Sequence, residues 1–345
     1  MSTSVTSPGA RLRIAVAAAG RRLPGTGLAI LIALAATFVS TLHGGPTLLY
    51  ALLLGVGFHY LSHEPRSRPG IEFASRAILR FGVGLLGARI TVAQIAALGW
   101  TTALIVVAGV VTTICFGVLL APRFRMTRAQ GVLSAGSVAI CGASAALAIS
   151  AVLPREKDGD RFTLMVVVTV TVLSTIAMVL YPLLAKALLL PPQLAGLFLG
   201  GTIHDVAQVV GAGYMLGLET GDVAIVVKLL RVSMLALVVL VIAAAFRNGM
   251  EQESARRPAP QALVPWFLWV FVGMVALSSA GALSPALVDG LNWTSRACLV
   301  VAIAALGMKT SFAQLARSGW RPLALILIET LWLAILVLGL AVATS

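Results

Sequence analysis

Eleven apolar runs of 17 to 25 residues follow one another along this 345-residue chain, separated by short polar breaks. They fall at about 27–43, 46–62, 77–98, 101–121, 130–153, 162–183, 193–217, 223–246, 264–281, 295–316 and 322–343. A bilayer core about 30 Å thick takes ~20 residues per helix, which is the length scale of these runs. Lipid offers backbone N–H and C=O groups no partner, so such runs must be helical, and none alternates as a barrel strand does. The predicted fold class is an all-α polytopic membrane protein of about 11 transmembrane helices. Charged residues make up 11% of the chain, where soluble domains carry about 25%, and this excludes a soluble globular protein.

The formal net charge of +13 does not point to nucleic acid, because the 25 basic residues gather in short loops rather than on one face. Arg11, Arg13, Arg21 and Arg22, Arg66 with Arg68, Arg123 with Arg125 and Arg128, Lys186, Arg247 with Arg256 and Arg257, and Arg317 with Arg321 fall on one side of the scheme. That side is cytoplasmic. Loops on the opposite side are short or balanced: Arg155, Lys157 and Arg161 offset Glu156, Asp158 and Asp160. The expected layout is a cytoplasmic tail over 1–26, one transmembrane domain over 27–345, and a C-terminus outside. Arg21 and Arg22 interrupt any cleavable signal peptide, and the break Asn248–Pro260 is a linker too short for a domain. Cys115, Cys141 and Cys298 lack CxxC or paired-His spacing, so no disulfide frame, metal or cofactor is expected.

Residues 75–100 align without a gap on residues 295–320, with eleven of twenty-six positions identical. Ser75/Ser295, Arg76/Arg296, Gln94/Gln314 and Trp100/Trp320 are among the matches, which apolar bias alone would not produce. The two segments are the third and tenth runs, seven crossings apart, and so traverse the bilayer in opposite senses. Inverted repeats of this kind are typical of secondary transporters, whose sites lie near the midplane at interrupted helices. Within each copy, Thr91 to Gln94 and Ser311 to Gln314 spell a capping box, predicting that a new helix starts there. Arg89 and Lys309 stand just before those starts. Each either serves an anion or snorkels to an interface on its aliphatic stem.

Ionisable groups inside spans cost at least ~2.5 kcal/mol each at a helix centre and are candidates for function. The set comprises Arg89, Lys228, Arg231 and Lys309, Asp205 and Glu329, and His59 and His204. Cations exceed anions by two, as a path for a divalent oxyanion needs. Lys228 and Arg231 are i, i+3 on one helical face and either grip an anion together or bridge to Asp205 or Glu329. The segment 136–145, GSVAICGASA, is poor helix-forming chemistry in mid-run; it is either tight packing or an unwound stretch whose N–H groups, with Ser137 and Ser144, face substrate. The segment 200–208, GGTIHDVAQ, places His204, Asp205 and Gln208 together, either to carry a proton or to fasten two helices. Glu329 is either a fixed counter-ion or a proton site.

GLLGARIT, GSVAICGASA, GGTIHDVAQVVGAG and KLLRVSML, in that order, resemble the YeiH-type sulfate exporter family of bacterial inner-membrane proteins, over roughly residues 26–345. The resemblance implies a bundle related to broken-helix cation/proton antiporters and bile-acid symporters, exporting sulfate or a similar sulfur oxyanion. It maps a Ser-Ile-Cys-Gly-like motif onto Val138, Ala139, Ile140, Cys141 and Gly142, and a His-acid-x-x-Gln motif onto His204, Asp205 and Gln208. Where relatives show Ser-Ser-Ile-Cys-Gly, this chain has Ser-Val-Ala-Ile-Cys-Gly.

The expected function is a secondary transporter, not an enzyme, exporting sulfate or sulfite. Its substrate residues are Arg89, Ser137, Cys141, Gly142, Ser144, His204, Gln208, Lys228 and Arg231, with coupling through His204, Asp205 and Glu329. Its partners are a small inorganic or organosulfur anion and the bilayer, and a homo-oligomer is compatible with it. Two alternatives use the same residues: a cation/proton antiporter with Asp205 as the ion site, and an intramembrane hydrolase using Cys141 with His204.

Overall fold

The computed structural model describes residues 8–154, 159–246, 266–310 and 319–344, with side chains from residue 20 onward. All regular structure among them is helical. The helices are α1 (Pro8–His43), α2 (Thr47–Gly57), α3 (Arg68–Phe73), α4 (Leu79–Leu86), α5 (Val92–Ala97), α6 (Gly99–Leu120), α7 (Arg128–Ala139) and α8 (Ala143–Ser150). There follow α9 (Gly159–Ala187), α10 (Pro192–Thr202), α11 (Val206–Leu216), α12 (Leu218–Ser233), α13 (Leu235–Ala245), α14 (Trp266–Ser279), α15 (Pro285–Lys309) and α16 (Trp320–Ala343).

Six stretches among the described residues are long and apolar enough to cross a membrane: Gly20–His43, Gly99–Phe124, Gly159–Ala187, Leu218–Ala245, Pro285–Lys309 and Trp320–Ala343. The remaining apolar runs resolve into shorter helices, for local reasons. The run 77–98 ends one helix in a 3-10 turn, Gly87–Arg89, and starts another at Thr91. There Gln94 N–H donates to Thr91 Oγ1 at 3.3 Å and Thr91 N–H returns to Gln94 Oε1 at 2.8 Å, the expected capping box. The equivalent Ser311 and Gln314 lie outside the described residues, as do Arg155, Arg247, Arg256, Arg257 and Arg317 of the loop charges. Helix α1 begins at Pro8, so the segment expected as a polar tail is already helical where it meets the first apolar run.

The chain divides into two compact units. The first comprises residues 1–83 and 293–310. Here small residues let backbones meet: a Cβ on Gly55 would strike the Ala304 carbonyl, and one on Gly307 the Leu52 carbonyl. Lys309 Nζ donates to Ser75 Oγ at 3.3 Å, and His59 Nδ1 contacts the Met308 carbonyl at 2.7 Å.

The second unit comprises residues 84–292 and 311–345. Gly87, the repeat equivalent of Gly307, meets the carbonyl of Phe271 on α14. Its apolar core runs through Val110, Val138, Ile140, Ile149, Val166, Val227 and Leu333. Helix α12 lies backbone to backbone on α11, where a Cβ on Gly213 would stand 2.8 Å from Gly221 Cα. It is equally close to α10, where Gly200 has no room for a Cβ beneath Ala224. That proximity brings long side chains of α12 within reach of main-chain atoms on its neighbours.

Candidate functional site

Both polar segments interrupt their helices, so of the two readings open for 136–145 the unwound stretch is the one observed. Helix α7 stops at Ala139 and α8 starts at Ala143, and between them Gly142 takes φ +61 and ψ −122, a conformation open to glycine and strained for side-chain-bearing residues. Helix α10 stops at Thr202 and α11 starts at Val206, with Ile203 extended and Asp205 as N-cap. The breaks adjoin: a Cβ on Gly142 would lie 3.3 Å from His204 Cβ.

A helix end leaves its last carbonyls unpaired, and inside a membrane protein each needs a donor. At the first break Gly142 N–H returns to the Ser137 carbonyl at 2.8 Å. Arg231 supplies the next two: its Nη2 donates to Val138 O at 2.9 Å and Ala139 O at 2.7 Å, and its Nε to Ala139 O at 3.0 Å. Lys228 Nζ takes Ile140 O at 2.6 Å. At the second break Arg231 Nη1 donates to Gly200 O at 3.1 Å and Ile203 O at 3.2 Å, and Lys228 Nζ to Ile203 O at 2.9 Å. Both side chains are fully buried. All five guanidinium donors are thus committed to carbonyls, while Lys228 uses two of its three.

The starts of the continuing helices differ. Asp205 Oδ1 accepts the Ala207 N–H at 2.8 Å, and Asp205 N–H donates to Ser174 Oγ of α9 at 3.0 Å. At α8 no side chain hydrogen-bonds as an N-cap, and Cys141 sulfur faces the Ala145 N–H. His204, buried, has Nε2 3.1 Å from Thr330 Oγ1 of α16. Gln208 Nε2 donates to Thr175 Oγ1 at 2.8 Å.

The remaining expected residues take different places. Ser137 is buried and its hydroxyl donates to Leu133 O at 2.5 Å, while Ser144 is exposed. Arg89 Nη2 pairs with Asp222 Oδ2 of α12 at 3.1 Å, and Tyr214 hydroxyl donates to Asp222 Oδ1 at 2.9 Å. Glu329 is fully buried: Oε1 accepts from Ser134 at 2.9 Å, and Oε2 has no hydrogen-bond partner among the described residues. The bridges expected as alternatives for Lys228 and Arg231 give way to backbone contacts, because the unpaired carbonyls lie closest.

Other contributors were not among the expected residues, and only the first of them carries a readable sequence signal. Thr127 to Gln130 is a second capping box, starting α7, with bonds of 3.1 and 3.2 Å. Ser174 and Thr175 hide in the run TVTVLST, whose hydroxyls look like β-branched filler. Thr330 follows Glu329 directly, and Tyr214 stands eight residues before Asp222.

A model of a family described as conserved hypothetical protein 698 matches residues 24–326. The chain is 49% identical over 328 residues to a UPF0324 membrane protein of Chlorobaculum tepidum, covering 94% of this chain and 90% of that one. It is 46% identical to the UPF0324 membrane protein TauZ of Paracoccus pantotrophus over 316 residues, 91% of this chain and 93% of that one. A UPF0324 membrane protein of Rhizobium meliloti is 45% identical over 317 residues, 92% and 91% of the two chains. No solved structure matches.

Proposed function

This chain belongs to the UPF0324 family of membrane proteins, that of conserved hypothetical protein 698, and on that premise we propose that it is a secondary transporter exporting a small sulfur oxyanion, sulfate or sulfite. The observation that carries the reading is the junction of two helix breaks around buried Lys228 and Arg231. A helix end bears roughly half a unit charge. The two carbonyl ends therefore offset about one of the two cationic charges, the two N–H ends add about one, and Asp205 removes one. About one unit of positive charge is left over, which favours an anion.

In this reading Lys228 offers its third donor to the anion, beside the α8 N–H groups after Cys141 and Gly142, His204 and Gln208. Arg231 acts from behind, by holding the two carbonyl ends in place. Arg89 guards the approach from its pairing with Asp222, while Ser137 and Ser144 flank the first break in the chain without offering it a hydroxyl. A coupled proton is carried by His204, Asp205 or Glu329. About eleven spans with an inverted repeat, similar to broken-helix antiporters and bile-acid symporters, would place the junction near the midplane of a bacterial inner membrane, the N-terminus in the cytoplasm. No covalent step is required.

Purified protein in liposomes should exchange labelled sulfate or sulfite, and Lys228→Met should reduce the rate at least tenfold while the protein stays folded. Absence of anion flux under any gradient, together with sodium-driven proton movement lost in Asp205→Asn, would replace this reading with a cation/proton antiporter centred on the Asp205 carboxylate.

A further inference from the structure

The orientation of the Gln208 amide is dictated by its neighbour. Thr175 donates its single hydroxyl proton to Thr171 O at 3.0 Å, so its oxygen must receive the Gln208 Nε2 proton, as it does at 2.8 Å. Flipping the amide would set oxygen against oxygen. Gln208 Oε1 is consequently an acceptor; it is fully buried and has no hydrogen-bond partner among the described residues. His204 is held in the same way: Thr330 donates to Ile326 O at 2.8 Å and receives the His204 Nε2 proton at 3.1 Å.

A buried, unpartnered acceptor in the first turn of α11, directly after the Asp205 break, makes an unusual lining for a fully ionised dianion, which has no proton to give. An acceptor left unpaired by its ligand penalises that ligand roughly ten- to hundredfold. We propose, resting on the anion-transport reading above, that the site selects a sulfur oxyanion that carries its own O–H, hydrogen sulfite rather than sulfate, with Gln208 Oε1 accepting the hydrogen bond from that hydroxyl. The amide reads the proton and Lys228 reads the charge. Sulfite takes up a proton near neutrality and sulfate does not, so the distinction is available inside a cell.

The test is competition in proteoliposomes of the full chain at mildly acidic pH, where sulfite is mostly protonated. The competitors are hydrogen sulfite, sulfate and methanesulfonate, the last a single-charged anion of similar size without an O–H. Hydrogen sulfite should outcompete both by at least tenfold, and Gln208→Leu should erase that margin while keeping residual flux. Gln208→Glu retains an acceptor oxygen and should keep the margin over methanesulfonate; should either variant fold poorly, the wild-type ranking decides alone. Sulfate or methanesulfonate moving as well as hydrogen sulfite overturns the selection and leaves anion transport standing. Failure of all three under every gradient overturns anion transport itself, and the selection with it.

Discussion

The two helix breaks solve one problem by different chemistry. At 140–142 the chain turns on backbone conformation: Gly142 at φ +61, small neighbours, and no side-chain N-cap hydrogen bond for α8. At 203–205 it turns on side chains: Asp205 caps α11 and Ser174 receives the Asp205 N–H. Only the carbonyl ends are treated alike, through Lys228 and Arg231. The difference teaches which break depends on side chains where its helix restarts. The second is capped by Asp205 and tied to α9 through Ser174, whereas the first rests on the Gly142 backbone with no side-chain N-cap hydrogen bond.

Three substitutions sharpen that contrast. Arg231→Leu strikes both breaks at once, leaving the Val138, Ala139 and Gly200 carbonyls unpaired at ~1 kcal/mol or more each, so roughly 3 kcal/mol or more is lost. Thermal unfolding in detergent should show this as the largest drop in Tm, and an unchanged Tm would mean that the carbonyl ends are held by something else. Gly142→Ala affects the first break alone; a side chain at that φ and ψ costs about 1–3 kcal/mol, with its methyl pressed against His204. Asp205→Ala affects the second alone and should cost about 1 kcal/mol, while Asp205→Asn, which also caps, should melt close to wild type. If Asn destabilised as much as Ala, capping would not be what Asp205 contributes.

Much of this was legible in the chain. The breaks show as glycine and hydroxyl residues within apolar runs, and Thr91 with Gln94 spells its cap outright. Arg231 illustrates what was not: its partners are main-chain carbonyls, which have no letter of their own, so the sequence offered only Asp205 or Glu329 as counter-charges. Ser174 and Thr175 were hidden for a related reason: a hydroxyl in a Thr/Val-rich helix commonly bonds its own preceding turn, as Thr175 does to Thr171 O, and the sequence has no sign that its oxygen also accepts from another helix. Gly87 and Gly307 match in the alignment, but that each seats a neighbouring helix backbone is visible only in the fold.

Because one guanidinium fastens to main-chain oxygens on both sides, the α7 and α10 ends are riveted into a single moving part. Neither tip can shift alone without tearing charge-assisted bonds in a medium that offers no replacements. On the transport reading proposed above, an alternation between inward- and outward-open forms would carry this rivet along whole, with the bending taken up elsewhere in the chain.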